Sequence, residues 1–142
     1  MRSIRLNSAS GVYAKTACVV NMTHTQSQAV SYCESNSMKL FQITDATTQN
    51  QIVTSMQTIY GASITFRMDG LRDTSDGNWY YNSYGKTPVF SGLWWLTNSN
   101  TFAGSDSLTI GNMAYPNIKF RLTFRMDGVR PNIPLPIVCE YV

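Results

Sequence analysis

The chain reads as an α+β domain, and three observations carry that reading. Ile52, Val53, Met56, Ile59 and Tyr60 recur at helical spacing, an apolar stripe that marks one amphipathic helix. Thr25-Gln26-Ser27-Gln28 has the form of a capping box and starts a shorter helix ahead of it. Past Gly61 no helical period recurs. Gly, Asn and Ser punctuate short aromatic runs instead, as turns between strands do. The resulting order, β-α-α-β-loop-β, is that of an α+β domain.

Taken in order, residues 1–11 read as an N-terminal segment ahead of a domain spanning 12–142. Val12 to Val20 has the apolar, β-branched content of a first strand. The first helix follows Thr25, puts Ala29 and Cys33 on one face, and runs to about Asn36. Leu40-Phe41-Gln42-Ile43 is a short buried link. Asp45 is a good N-cap for the second helix, whose stripe is core, and Gly61 ends it.

One segment occurs twice. Thr65-Phe66-Arg67-Met68-Asp69-Gly70-Leu71-Arg72 returns as Thr123-Phe124-Arg125-Met126-Asp127-Gly128-Val129-Arg130, differing only by Leu for Val. No third copy exists, so a solenoid is not supported. Both copies alternate as strands do. If they lay antiparallel and side by side, Arg67 would oppose Asp127 and Asp69 would oppose Arg125, each pair contributing a few tenths of a kcal/mol.

Composition narrows the function classes. At 142 residues, 43% hydrophobic and 13% charged, the chain fits one globular domain with a real core. A net charge of +3 is too small to argue for nucleic acid, although four of the eleven basic residues fall between Lys119 and Arg130. No run reaches the ~18–20 apolar residues of a membrane span. Met1 to Leu6 has no apolar h-region and reads as the start of a mature chain rather than a signal peptide. Asn21-Met22-Thr23 is a glycosylation sequon and fits an extracellular glycoprotein.

Three cysteines leave at least one unpaired. If Cys33 and Cys139 pair, Cys18 is left as a buried thiol or as a bridge between two chains of a homo-oligomer. Its context, Ala17-Cys18-Val19-Val20, reads as strand and favours the buried thiol. The competing reading is a cytosolic protein with three free thiols.

Catalytic chemistry finds little to build on. His24 is the only histidine, so a zinc site or a Ser-His-Asp triad lacks its partners. Asp73 and Asp76 sit in turn-rich sequence with no apolar wall to raise a carboxyl pKa, and turn capping is the better account. The chain does not read as an enzyme.

Read together, the motifs resemble the C-type lectin-like domain. Ala29-x-x-x-Cys33 is like its first-helix A-x-x-x-C, and Met38 to Ile43 is like its link into the second helix. Gly70-Leu71-Arg72-Asp73 resembles the end of its W-I-G-L-x-D strand, with Met68 and Asp69 in place of the family's Trp and Ile. Gly77-Asn78-Trp79-Tyr80-Tyr81 with Gly85 is similar to its W-x-W-x-x-G hairpin. Trp94-Trp95 resembles the tryptophan before its long loop, and Ile137-Val138-Cys139-Glu140-Tyr141 its closing strand. The resemblance implies two helices with small antiparallel sheets, a long loop region, and a disulfide between Cys33 and Cys139. In the chain-entropy model a bridge across 106 positions stabilises the fold by ~4–5 kcal/mol, and it implies an oxidising, extracellular setting.

Two departures bear on function. The family's loop disulfide has no counterpart, since no cysteine lies between Cys33 and Cys139. Ser107 sits about where the first loop cysteine would be, so packing and hydrogen bonds must hold the loop. The sugar-coordinating calcium motifs E-P-N or Q-P-D and W-N-D are also missing. Leu96-Thr97-Asn98-Ser99-Asn100 has neither proline nor carboxylate, and Arg125-Met126-Asp127 offers one carboxylate. Ca²⁺ takes six to eight oxygens, several of them anionic, so calcium is not favoured and no cofactor is expected.

The resemblance places ligand recognition on the loop between about Pro88 and Pro116. Asn98, Asn100 and Asn112 can hydrogen-bond sugar hydroxyls, Trp94, Trp95 or Tyr115 can stack on a sugar ring, and Asp106 and Asp127 are the carboxylates able to approach. Trp79 is read as core. The expected function is a secreted module that binds a glycan or glycoprotein without that calcium site, with no membrane insertion. The alternative is a structural or protein-interaction component, favoured by the unpaired Cys18 and the basic strand Lys119 to Arg130.

Overall fold

A computed structural model describes residues 2–60, 65–90, 107–111, 125–129 and 131–142. The elements run β1 (Arg2–Asn7), β2 (Tyr13–His24), α1 (Gln26–Ser35), β3 (Met38–Leu40), α2 (Ala46–Tyr60), β4 (Thr65–Arg72) and β5 (Trp79–Tyr81). They continue with β6 (Thr87–Pro88), β7 (Ser107–Gly111), β8 (Arg125–Val129) and β9 (Leu135–Tyr141). One sheet carries all the strands in the order β1-β2-β9-β4-β5-β6. β3 pairs with β9, and β7 pairs with β4 and β8. Every pairing is antiparallel except β4 with β9.

The helices form as their sequences require. Thr25 Oγ1 accepts from the Gln28 amide at 3.4 Å while Gln28 Oε1 accepts from the Thr25 amide at 3.0 Å, a reciprocal capping box. Asp45 Oδ1 accepts from the Thr48 amide at 2.7 Å and starts α2. Ile52 and Met56 are fully buried, with Val53, Ile59 and Tyr60 packed beside them, so the stripe is core.

The helices cover opposite faces of the sheet. Ala17 and Val19 of β2 point into the cluster that holds Ile52 and Met56 of α2. Cys18 and Val20, one position out of phase, point into the cluster of Ala29 and Cys33 on α1. This explains the unbroken apolar run in β2: both of its faces are buried. Cys33 and Cys139 are bonded, with Cα atoms 5.8 Å apart, which ties α1 to β9 at the centre of its cluster. Cys18 is buried and is not available to bridge two chains.

Two arrangements were not evident in the residues alone. Residues 2–7, read above as part of a segment ahead of the domain, form β1 with Ile4 and Leu6 buried against the α2 side. The amide of Gln51 on α2 clamps its end, donating to the Asn7 carbonyl at 2.8 Å and accepting from the Asn7 amide at 2.7 Å. The two copies of the repeat do not pair with each other, which corrects the expectation of facing charge pairs. β7 lies between them: Thr109 is opposite Arg67 on one side and Asp127 on the other. Alternation fixes which residues share a face but leaves the neighbouring strand open, and here that neighbour comes from another part of the chain.

The repeat's glycines lie on either side of Leu108. Gly128 is its register partner on β8, and a Cβ added to Gly70 would stand 2.6 Å from the Leu108 Cβ. Gly70 has φ +144°, within the stretch of β4 where pairing with β7 shifts register. Gly70→Ala is therefore expected to destabilise the fold by about 2–4 kcal/mol through strain and overpacking, read from the urea midpoint at unchanged m-value.

Candidate functional site

Strand β4 presents two faces. Phe66 and Met68 enter the α2 core, and Arg67 and Asp69, on the alternate positions, are buried at 0% and 2% exposure. A buried charge is stable only with its hydrogen bonds met. The partners of these two hold the turn between β5 and β6 and the point where the chain returns at β7.

Asp69 serves the turn between β5 and β6. Its Oδ2 accepts from the Asn82 and Ser83 amides, both at 3.0 Å, and from Gln42 Nε2 at 2.8 Å. Glu140 on β9 adds a second hold: its Oε1 accepts from Lys15 Nζ at 2.8 Å and from the Gln42 amide at 2.7 Å. Its Oε2 accepts from the Tyr84 hydroxyl at 3.1 Å. Gln42 joins the two carboxylates through one residue, and its carbonyl also accepts from Lys15 Nζ. Burial, and then the charge of Glu140, push the Tyr84 phenol well above its ordinary pKa. The Tyr81 hydroxyl donates to the Ile43 carbonyl, and burial raises its pKa as well.

Arg67 serves the returning side. Its Nη1 donates to Ser107 Oγ and to Gln26 Oε1, the latter at 3.4 Å. Ser107 Oγ donates in turn to Gln26 Oε1 at 2.7 Å. Nε donates to the His24 carbonyl at 3.3 Å, and Nη2 to the Ile133 carbonyl. Burial lowers the guanidinium pKa to about 10, so it remains charged at neutral pH. Ser107, at the expected place of a loop cysteine, is thus held by hydrogen bonds and complete burial.

The hairpin beyond β4 is built from turn chemistry. Asp73 Oδ1 accepts from the Ser75 amide at 2.9 Å, and Asp76 Oδ1 accepts from the Asn78 amide at 2.8 Å. Lys86 Nζ donates to Asp73 Oδ2 at 2.6 Å and lies 4.3 Å from the Tyr80 ring centre. Hydrogen bonds from Lys86 and then Ser75 hold the Asp73 carboxyl far below the usual carboxylate range. These acids cap a turn, as their sequence context suggested. Trp79 is core, at 6% exposure.

Trp94, Trp95, Asn98, Asn100, Asp106 and Asn112 lie outside the described residues. Asp127 is placed by its backbone alone, on β8 opposite Thr109. What the structure does place is the chain on either side of Trp94 to Asp106. Gln42, Asp69, Glu140 and Arg67 hold the β5–β6 turn and the start of β7, and sequence reasoning missed their role. The available signal was a carboxylate and a guanidinium alternating with apolar residues inside a strand.

This architecture matches known structures over most of its length. The C-type lectin domain of murine dendritic cell inhibitory receptor 2, solved in complex with N-glycan, aligns at a TM-score of 0.68 and 12% identity, covering 89% of this chain and 90% of that one. The chain has a C-type lectin-like fold. The Ca²⁺-independent C-type lectin SPL-2 from Saxidomus purpuratus aligns equally well, at 0.68 and 13% identity over 89% of this chain and 85% of that one. A calcium-independent type II antifreeze protein aligns at 0.66 and 14% identity, over 96% and 95%. No family sequence model and no curated protein sequence matches the chain. In this C-type lectin-like fold the Cys33–Cys139 bridge closes α1 onto the last strand, as the resemblance implied.

Removing the Asp69 carboxylate leaves three donors without their acceptor. Asp69→Ala is expected to cost about 2–4 kcal/mol and to strip protection from the Asn82 and Ser83 amides in hydrogen exchange. Amides outside that hold should keep their native order of exchange.

Proposed function

We propose that this chain is an extracellular recognition domain that binds a glycan or glycoprotein through the stretch from about Pro88 to Pro116 without a sugar-coordinating calcium ion. The observation that carries the calcium half is the use already made of the acidic residues. Of eight, the six whose side chains are described are engaged by the scaffold. Glu34 pairs with Lys39, Asp45 caps α2, Asp73 and Asp76 cap the hairpin turn, and Asp69 and Glu140 hold the turn between β5 and β6. Asp106 and Asp127 remain, and two carboxylates fall short of the anionic oxygens that Ca²⁺ takes from such a loop. The donor set does not fit the ion.

Support for ligand recognition comes from the frame. Loops held by a rigid scaffold are where binding residues concentrate, and buried polar contacts fix the β5–β6 turn ahead of this stretch and Ser107 within it. Trp94, Trp95, Asn98, Asn100 and Asn112 supply aromatic faces and amides suited to a sugar. The buried bridge fits an oxidising compartment. Among the described residues no helix is long and apolar enough to cross a membrane. Asn21 is exposed on β2 where its pairing with β9 is interrupted, a position open to a glycan.

A second reading, a protein-interaction or structural role, is favoured by one fact: antifreeze proteins are among the structures with this fold. A glycan array with and without EDTA separates the two. Binding that persists in EDTA is expected, and the double variant Asn98→Ala/Asn100→Ala should weaken it about tenfold or more at an unchanged melting temperature. Binding abolished by EDTA would refute the calcium half of the proposal. Absence of binding in both conditions would establish the second reading in its place.

A further inference from the structure

The third cysteine has no part in the loop frame, yet it is not isolated. Cys18 is fully buried in the cluster that contains both halves of the bridge. β2 and β9 pair antiparallel with Cys18 directly opposite Cys139. Residues so opposed have Cα atoms about 4.5–5.5 Å apart and side chains on one face, within the ~4.4–6.8 Å that a disulfide spans. Cys139 therefore lies between two sulfurs, that of Cys33 on α1 and that of Cys18 on its neighbouring strand. The Cys18 thiol also has a route for its proton. It donates to the Tyr141 hydroxyl at 3.8 Å, and Ser3 Oγ lies 3.9 Å away. Both of those residues are exposed.

We propose that Cys18 is an internal exchange thiol for the Cys33–Cys139 bridge. Cys18 loses its proton and attacks the Cys139 sulfur. A Cys18–Cys139 bond forms, the Cys33–Cys139 bond breaks, and Cys33 leaves as a thiolate that takes up one proton. One disulfide and one thiol enter and leave, so the step is isomerisation and needs no oxidant or reductant. The new bond closes a loop of nearly the same length, so chain entropy scarcely separates the two forms. Their consequences differ. The first ties a helix to the sheet, whereas the second joins two strands that already pair. Exchange thus releases α1, and with it Gln26, whose side-chain oxygen accepts from Arg67 and Ser107 at the returning stem of the loop. The cysteine cluster becomes a switch that acts on the loop frame through α1.

The test maps the sulfurs directly. The purified chain is incubated with reduced glutathione, quenched in acid, alkylated and digested without reduction. A Cys18–Cys139 linked peptide with alkylated Cys33 is expected, with Cys33 becoming alkylated about tenfold faster than in Cys18→Ser, because the internal thiol acts at high effective concentration. Equal rates of Cys33 alkylation in the two proteins, with Cys18 the alkylated residue throughout in the wild-type chain, would overturn the proposal. A second variant reads the same geometry from the other side. Cys33→Ser held in oxidised glutathione is expected to close Cys18–Cys139 and leave no free thiol. Two free thiols there, under conditions in which Cys18→Ser keeps its bridge, would also overturn it. Should Cys33→Ser fail to fold, the exchange rates in the wild-type chain decide alone.

Discussion

Strand β4 carries a guanidinium and a carboxylate into the interior two positions apart, and both the β5–β6 turn and the start of β7 hang on them. Burying either charge without partners costs several kcal/mol, so the arrangement persists only because the surrounding chain meets each group in full. Arg67 is met by the carbonyls of His24 and Ile133 and by the side chains of Gln26 and Ser107. Asp69 is met by two amides of the turn between β5 and β6 and by Gln42. These partners come from the end of β2, α1, the link before α2, the β5–β6 turn, β7 and the turn before β9. A single strand thereby fixes six stretches of chain in relation to one another.

The sheet's two-sided burial is what makes this possible. With the α2 core on one face and Gln26, Ser107, Gln42 and the β5–β6 turn meeting Arg67 and Asp69 on the other, β4 has no solvent side in its middle. Phe66 and Met68 supply the apolar face, and the opposite face must be filled by something the α1 side can satisfy. The N-terminal turn of α1 does so, because its capping box turns the chain sharply at Thr25 and brings Gln26 inward beside Arg67. The bridge to Cys139 then holds that helix against the sheet. Helix cap, disulfide and buried guanidinium act on one another through a few residues.

Much of the scaffold was legible in the residues. Capping boxes and amphipathic stripes are local signals, and both helices lie where Thr25, Asp45 and the Ile52–Met56 stripe put them. The closing strand and its cysteine were legible through order and spacing. β1 was not, because two apolar residues, Ile4 and Leu6, make too short an alternation to stand out. The partner of the repeated segment was not legible either, since neighbouring strands are chosen by tertiary packing. The ligand residues read from the sequence, Trp94 to Asn112, lie outside the described residues. What the structure adds is the frame that holds their loop. That frame escaped sequence reading because a buried Asp or Arg in a strand looks the same as an exposed one until its partners are known.

A loop held by hydrogen bonds behaves differently from one held by a disulfide. A covalent staple acts mainly on the unfolded chain, whatever the register of the strands around it. The hydrogen-bonded stems act only when β4 is in register. A slip of one residue would turn Arg67 and Asp69 into the α2 core and Phe66 and Met68 out of it, losing both faces together. Gly70 reinforces that register, since Leu108 leaves no room for a side chain at its position. In this chain the β5–β6 turn, the start of β7 and the pairing of β4 therefore form one cooperative unit. Ser107, where the resemblance would put a cysteine, belongs to that unit through Arg67 and Gln26. Its position is set by the folded core and not by a crosslink of its own.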